Sequence, residues 1–140
     1  MRLQGLKNIV HTDLLSFKNQ KFDTILLLMN GTGIFGNLKK TPGYLHHLRS
    51  LLNPNGQILI DSSDLRYMYD TDESGEILFP EDRYYGELEF TISYKNRKSK
   101  PFEWLYLDEK TFRNLSQENG FRFEVLYRGS NWEYLARLTF

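Results

Sequence analysis

The sequence predicts an α/β domain with a mainly parallel sheet, an antiparallel C-terminal part and an inserted β-hairpin. Three observations predict it. An apolar run at 23–29, a helical pattern at 41–52 and a strand pattern at 57–61 make a strand–helix–strand unit. Its short connections imply a right-handed parallel crossover. Two alternating stretches within 84–107 flank a basic turn at 96–100 and read as an antiparallel hairpin. A helix capped by Asp108 then leads into two last strand patterns, 121–127 and 132–138.

Each element follows from its residues. Residues 8–13 form a short strand pattern ending on Asp13, and 14–22 are mixed, a loop or a single helical turn. Residues 23–29 are almost continuously apolar, the signature of a strand covered on both faces. Residues 30–40 contain three glycines and read as a flexible loop at the C-terminal edge of the sheet. Thr41-Pro42 supplies a capping hydroxyl and a proline at the first helical position. Tyr44, Leu45, Leu48, Leu51 and Leu52 recur at helical spacing. Asn53-Pro54-Asn55-Gly56 stops that helix and turns the chain. In the hairpin, Leu88, Phe90, Ile92 and Tyr94 share one face. Phe112 and Leu115 point inward from the last helix, and Gly120 ends it. No repeat or linker interrupts the 140 residues, which read as one domain with a hairpin insertion at about 84–107.

Composition narrows the function classes. Eighteen basic and 18 acidic side chains give a formal net charge of zero, which argues against nucleic acid or an anionic membrane surface as partner. Cysteine is absent, so there is no disulfide, thiolate metal site or thiol nucleophile. No apolar run approaches a membrane span, and the first residues lack the apolar core of a secretory signal; a cytoplasmic protein is expected. His11 lies in a strand pattern and reads as structural. His46 and His47 are neighbours on one helix and cannot form an i, i+4 metal pair. No metal site is expected.

Residues 31–36 spell Gly-Thr-Gly-Ile-Phe-Gly, the G-x-G-x-x-G of dinucleotide-binding turns, and a strand ending in Asp61 follows. In that motif the glycines open directly into a helix whose N-terminus meets the pyrophosphate. Here the helix start is Thr41-Pro42, five residues past Gly36, and a tyrosine-rich loop rather than a third parallel strand follows Asp61. The glycines therefore read as a loop and not as a phosphate cradle.

A family resemblance accounts for more of the chain. Residues 21–30, Lys-Phe-Asp-Thr-Ile-Leu-Leu-Leu-Met-Asn, resemble the fourth strand of class I S-adenosylmethionine-dependent methyltransferases. Residues 51–60, Leu-Leu-Asn-Pro-Asn-Gly-Gln-Ile-Leu-Ile, are similar to the entry to their fifth strand. Residues 8–13 then resemble the third strand, and the 84–107 hairpin resembles the substrate-side insertion of some small-molecule members. The resemblance implies an incomplete Rossmann-like methyltransferase sheet, the C-terminal portion of the fold. The glycine-rich cofactor turn and the ribose acid map onto no residue of this chain.

The same resemblance implies S-adenosylmethionine as cofactor and a small molecule as methyl acceptor. Asp13 would meet the adenine amino group, and the Leu14 backbone N–H the adenine ring; Asp13 reads equally as a helix cap. Asn30 and Gly31 would open onto the transferable methyl group. Tyr67, Tyr69, Tyr84, Tyr85 and Trp104 would line the acceptor cleft or serve as packing residues. No catalytic residue is identified, because methyl transfer from a sulfonium needs mainly in-line positioning. The chain alone is expected to bind the cofactor weakly or not at all. The open edge of strand 23–29 implies a homodimer or a completing N-terminal fragment. Two other readings stand beside this one: a non-catalytic binding or dimerisation module on the same scaffold, and a nucleotide-binding oxidoreductase fragment.

Overall fold

A computed structural model describes residues 5–140. Its central element is a four-stranded sheet built from β1 (Phe22–Leu27), β2 (Leu52–Ser63), β7 (Arg122–Arg128) and β8 (Glu133–Thr139), in the order β1-β2-β8-β7. β1 runs parallel to β2, with Ile25 opposite Ile58 and Leu27 opposite Ile60. β8 is antiparallel to both β2 and β7. Helix α1 (Thr41–Ser50) connects β1 to β2, and α2 (Glu109–Glu118) precedes β7. Both helices bury their apolar stripes on one face of the sheet: Leu45 and Leu48 of α1 and Phe112 of α2 share a core with Ile58, Ile60, Ala136 and Leu138. The strand alternation follows from this, since every second residue of β8 (Tyr134, Ala136, Leu138) is buried and those between are half-exposed.

The hairpin expected at 84–107 is present. β3 (Glu87–Phe90) pairs antiparallel with β6 (Phe102–Leu105), and β4 (Ser93–Tyr94) with β5 (Arg97–Lys98) forms the tip. Two acids fasten its foot to the segment before α1. Glu87 accepts from the Leu38 N–H at 2.8 Å, and Glu103 accepts from Asn37 Nδ2 at 2.9 Å and pairs with Lys40. Asp108 caps α2 as its position suggests, accepting from the Thr111 N–H at 2.9 Å.

Four expectations are corrected. Residues 8–13 form no strand, and Asp13 instead caps a 3-10 turn at Leu14–Ser16 by accepting from the Leu15 N–H at 2.9 Å. A strand needs a neighbour for its backbone groups, and none of the described strands lies beside 8–13. β1 is covered on one face only: Ile25 and Leu27 meet the core, whereas Leu26 is 58% exposed, because both helices lie on the same side. The loop 30–40 is not a flexible connection but two 3-10 turns, Gly31–Phe35 and Leu38–Lys40, with Gly31, Thr32, Gly33 and Phe35 buried. Finally, Thr41 does not cap α1; its buried hydroxyl donates back to the Asn37 carbonyl at 3.1 Å, and Asn37 caps the preceding turn.

Candidate functional site

The C-terminal ends of the parallel strands β1 and β2 meet beneath the hairpin, the position where α/β sheets place ligands. β1 ends abruptly because Met29 and Asn30 both adopt the left-handed conformation, with φ of 67° and 59°. Neither is glycine, so the turn carries strain of about 1–3 kcal/mol per residue, least for asparagine. Asp61, on the adjacent strand, offsets it. Its Oδ2 accepts from the Asn30 N–H at 3.1 Å and its Oδ1 from the Gly31 N–H at 3.0 Å. Gly31 is required by close approach: a Cβ there would stand 2.7 Å from that of Leu27.

Every polar atom of Asn30 has a partner inside the chain. Its Nδ2 donates to the Leu105 carbonyl at 3.2 Å, its Oδ1 accepts from the Ser62 hydroxyl at 3.3 Å, and its carbonyl accepts from the Gly33 N–H. Ser62 and Thr32 continue this buried network with their hydroxyls 2.7 Å apart, and the Leu107 N–H donates to Ser62 Oγ at 2.8 Å. Trp104 of β6 closes it from above by lying flat against Gly33, where a Cβ would come within 2.0 Å of the indole. Asn30, Gly31 and Trp104 are thus brought together around one junction of β1, β2 and the hairpin.

Tyr84 and Tyr85 form a second cluster with ring centroids 4.7 Å apart. The Tyr84 hydroxyl donates to Asp108 Oδ2 at 2.6 Å and accepts from the Asp108 N–H at 2.9 Å. The Tyr85 hydroxyl donates to Asp64 Oδ1 at 2.8 Å, and Arg66 pairs with the other oxygen of Asp64 at 2.6 Å. Burial raises both phenols far above their ordinary value, so at neutral pH they are donors and not bases. Burial also pushes Asp108 up, but hydrogen bonds from Thr111 and Tyr84 outweigh it and hold the carboxyl below its usual range. Tyr69 donates to the Tyr85 carbonyl at 2.6 Å, and Phe79 stacks on the Tyr85 ring at 4.3 Å. These phenols pin the 64–86 segment over the strand ends.

The remaining sequence-derived candidates lie outside these clusters. Tyr67 is 57% exposed on a 3-10 turn. Leu14 packs against the edge of the core, and the Asp13 carboxylate is turned to its own chain. His46 is exposed and His47 half-buried. Reading the sequence missed Asp61, Ser62, Asp64 and Thr32 as organisers of the site. One signal for them was present: Asp61-Ser62-Ser63-Asp64 is a polar run at the end of an apolar strand. Among the described residues no three acids or histidines gather as a metal site, and no helix is long and apolar enough to cross a membrane.

The architecture has close counterparts among solved structures. An S-adenosylmethionine-dependent methyltransferase from Bacteroides fragilis, in complex with S-adenosyl-L-homocysteine, superposes with a TM-score of 0.89 at 43% identity, over 99% of this chain and 56% of that one. A methyltransferase of the same cofactor class from Clostridium acetobutylicum gives 0.62 at 13% identity, covering 99% and 67%. The CcbJ methyltransferase from Streptomyces caelestis gives 0.59 at 10%, covering 93% and 62%. The last two share the fold alone. No protein-family model matches the chain, and no curated protein matches it. The parallel β1-β2 pair extended by antiparallel β8, with the hairpin seated over the strand ends, is a methyltransferase-like α/β sheet. The chain is similar in sequence and fold to an S-adenosylmethionine-dependent methyltransferase, and it spans a little over half of that Bacteroides fragilis relative.

Proposed function

We propose that the 140 residues act as one unit forming the acceptor side of a cytoplasmic S-adenosylmethionine-dependent methyltransferase that methylates a small molecule. The observation that carries this reading is the 43% identity, along 99% of the chain, to a methyltransferase holding S-adenosyl-L-homocysteine. The absence of cysteine supports the compartment. The aromatic, hydrogen-bonded lobe of Tyr67, Tyr84, Tyr85 and Trp104 supports a small, partly apolar acceptor.

The residues present fit the cofactor in part. By resemblance Asp13 and Leu14 would stand against the adenine ring, and exposed Met29 with half-buried Asn30 would form a floor beneath the methyl group, over the buried Gly31. The Asn30 and Gly31 amides are already committed to Asp61, so that floor provides shape and contact, not hydrogen-bond donors. No described element cradles the amino-acid end of the cofactor. When bound, S-adenosylmethionine supplies an activated methyl group, and the protein's share is to position the acceptor and exclude water. In this chain Asp61 fixes the β1 exit, Trp104 holds the hairpin over it, and the Tyr84–Tyr85 pair anchors the covering segment.

Binding therefore depends on a partner along β1, either a completing N-terminal portion or a second copy. β1 is a terminal strand with its outer backbone unpaired among the described strands, and Leu26 and Leu28 leave its other face apolar and uncovered; both support this. Calorimetric titration with S-adenosylmethionine and with NAD tests it, using the chain alone and the chain fused to the N-terminal portion of the Bacteroides fragilis protein. The expected result is no measurable S-adenosylmethionine binding by the chain and clear binding by the hybrid. Tight binding by the chain alone would overturn the need for a partner. Binding of NAD in place of S-adenosylmethionine by the hybrid would favour an oxidoreductase, and binding of neither a non-catalytic module.

A further inference from the structure

The chain's zero net charge conceals a separation inside the hairpin lobe. Residues 70–82 carry six acids (Asp70, Asp72, Glu73, Glu76, Glu81, Asp82) and no lysine or arginine. Residues 95–100, at the hairpin tip, carry Lys95, Arg97, Lys98 and Lys100 and no acid. All ten side chains are exposed, and none joins an ion pair among the described residues. The acidic loop sits at the foot of the hairpin, where its Phe79 stacks on Tyr85. From there β3 and then β4 lead to the tip, and at about 3.3 Å per residue the seven steps from Glu87 to Tyr94 span at most roughly 23 Å. Physiological screening extends about 8 Å, so the two charge sets of one chain do not neutralise each other.

Between them lies an apolar groove of about 340 Å³ lined by Phe90, Thr91, Ile92, Phe102 and Trp104. Ile92 is 60% exposed, and Leu78, on the acidic loop, is 56% exposed. An apolar groove placed between a basic tip and an acidic foot is complementary to a copy of itself turned end for end.

We propose that this face docks a second copy of the chain. The two hairpins lie antiparallel about a two-fold axis, each basic tip against the partner's acidic loop and each groove taking an apolar side chain from that loop. Two-fold pairing satisfies both charge sets twice with one contact geometry, and the neutral whole imposes no long-range repulsion between copies. The surface is separate from the β1 edge, and the inference does not rest on the functional reading.

Sedimentation velocity at about 50 mM and about 500 mM salt tests it through the salt dependence of contacts between exposed charges. A dimer is expected at low salt, with dissociation strengthened by at least about tenfold at high salt. In the L26K background, which removes pairing along β1, the variant K95E/R97E/K98E/K100E should be monomeric, as should D70K/E73K/E76K, while an equimolar mixture of the two should form a heterodimer. I92K should also dissociate the dimer, and L26K, which charges the β1 edge, should leave it intact. Unchanged circular dichroism of each variant establishes that it folds. A monomeric wild type at low salt, a dimer that survives reversal of the tip, or charge-reversed partners that fail to pair would each overturn the proposal.

Discussion

At one edge of the sheet, β7 carries Arg122, Glu124 and Arg128 and bends at an irregularity between Val125 and Tyr127. It is also tied down: Arg128 pairs with Glu109 of α2, Arg113 of α2 donates to the Phe123 carbonyl, and Glu124 pairs with Arg137 of β8. At the other edge, β1 exposes Leu26 and is followed by exposed Leu28 and Met29. Its register irregularity lies at its start, between Phe22 and Thr24, so residues 24–27 present a regular outer edge. Charge, a bend and cross-links are the means by which natural sheets stop growing, and a flat apolar edge invites another strand. One sheet therefore has an edge built to end and an edge built to continue.

That contrast can be broken from either side. The largest effect is expected at the β1 exit: D61A leaves two amides and a left-handed turn without their carboxylate, costing about 2–4 kcal/mol by urea unfolding. G33A drives a methyl group into Trp104 and should cost about 1–3 kcal/mol, with a change in indole fluorescence reporting the displaced ring. At the β7 edge, E109A removes two partly solvated arginine pairs and should cost about 1 kcal/mol. The same region governs acid stability. Burial pushes Glu109 up, but Arg113 and Arg128 outweigh it and hold it below its ordinary range, and Asp108 is held low in the same way. Depressed carboxylates contribute stability that is full above the unfolded pKa near about 4 and lost as pH falls through their folded values. E109A should therefore flatten the fall in stability below about pH 4. L26K should change stability by less than about 0.5 kcal/mol. It should also abolish complementation by an N-terminal portion added in trans, measured as recovered S-adenosylmethionine binding; retained complementation would remove β1 from the interface.

Both main helices, the strands β7 and β8, the later part of β2 and the hairpin were legible because periodicity, caps and turn residues act over a few neighbours; residues 53–56, expected as a turn, instead lie within β2. Leu45, Leu48 and Phe112 are buried as their spacing predicts. The site was less legible because its contacts join residues far apart in sequence. Nothing near Gly33 announces Trp104, and nothing near Tyr84 or Tyr85 announces Asp108 or Asp64. The glycines of 31–36 illustrate the point. Their spacing suggested a phosphate turn or a flexible loop, whereas Gly31 and Gly33 serve to let Leu27 and Trp104 approach. Residues 8–13 failed as a strand for a related reason, since strand propensity is realised only against a neighbour.

The hydrogen bond from Asn30 Nδ2 to the Leu105 carbonyl has a consequence in time. It joins groups 75 positions apart, so the turn at Met29 cannot settle until the hairpin has been made and has docked. During synthesis the partner strand of β1 emerges by Ser63, but the turn at its exit waits for Leu105. Pulse-labelled hydrogen exchange on refolding protein should find the Asn30 and Gly31 amides protected later than those of β7 and β8, whose pairing is local. Simultaneous protection would show that Asp61 alone sets the turn. The end of the first strand is thus among the last parts of the molecule to become what it is.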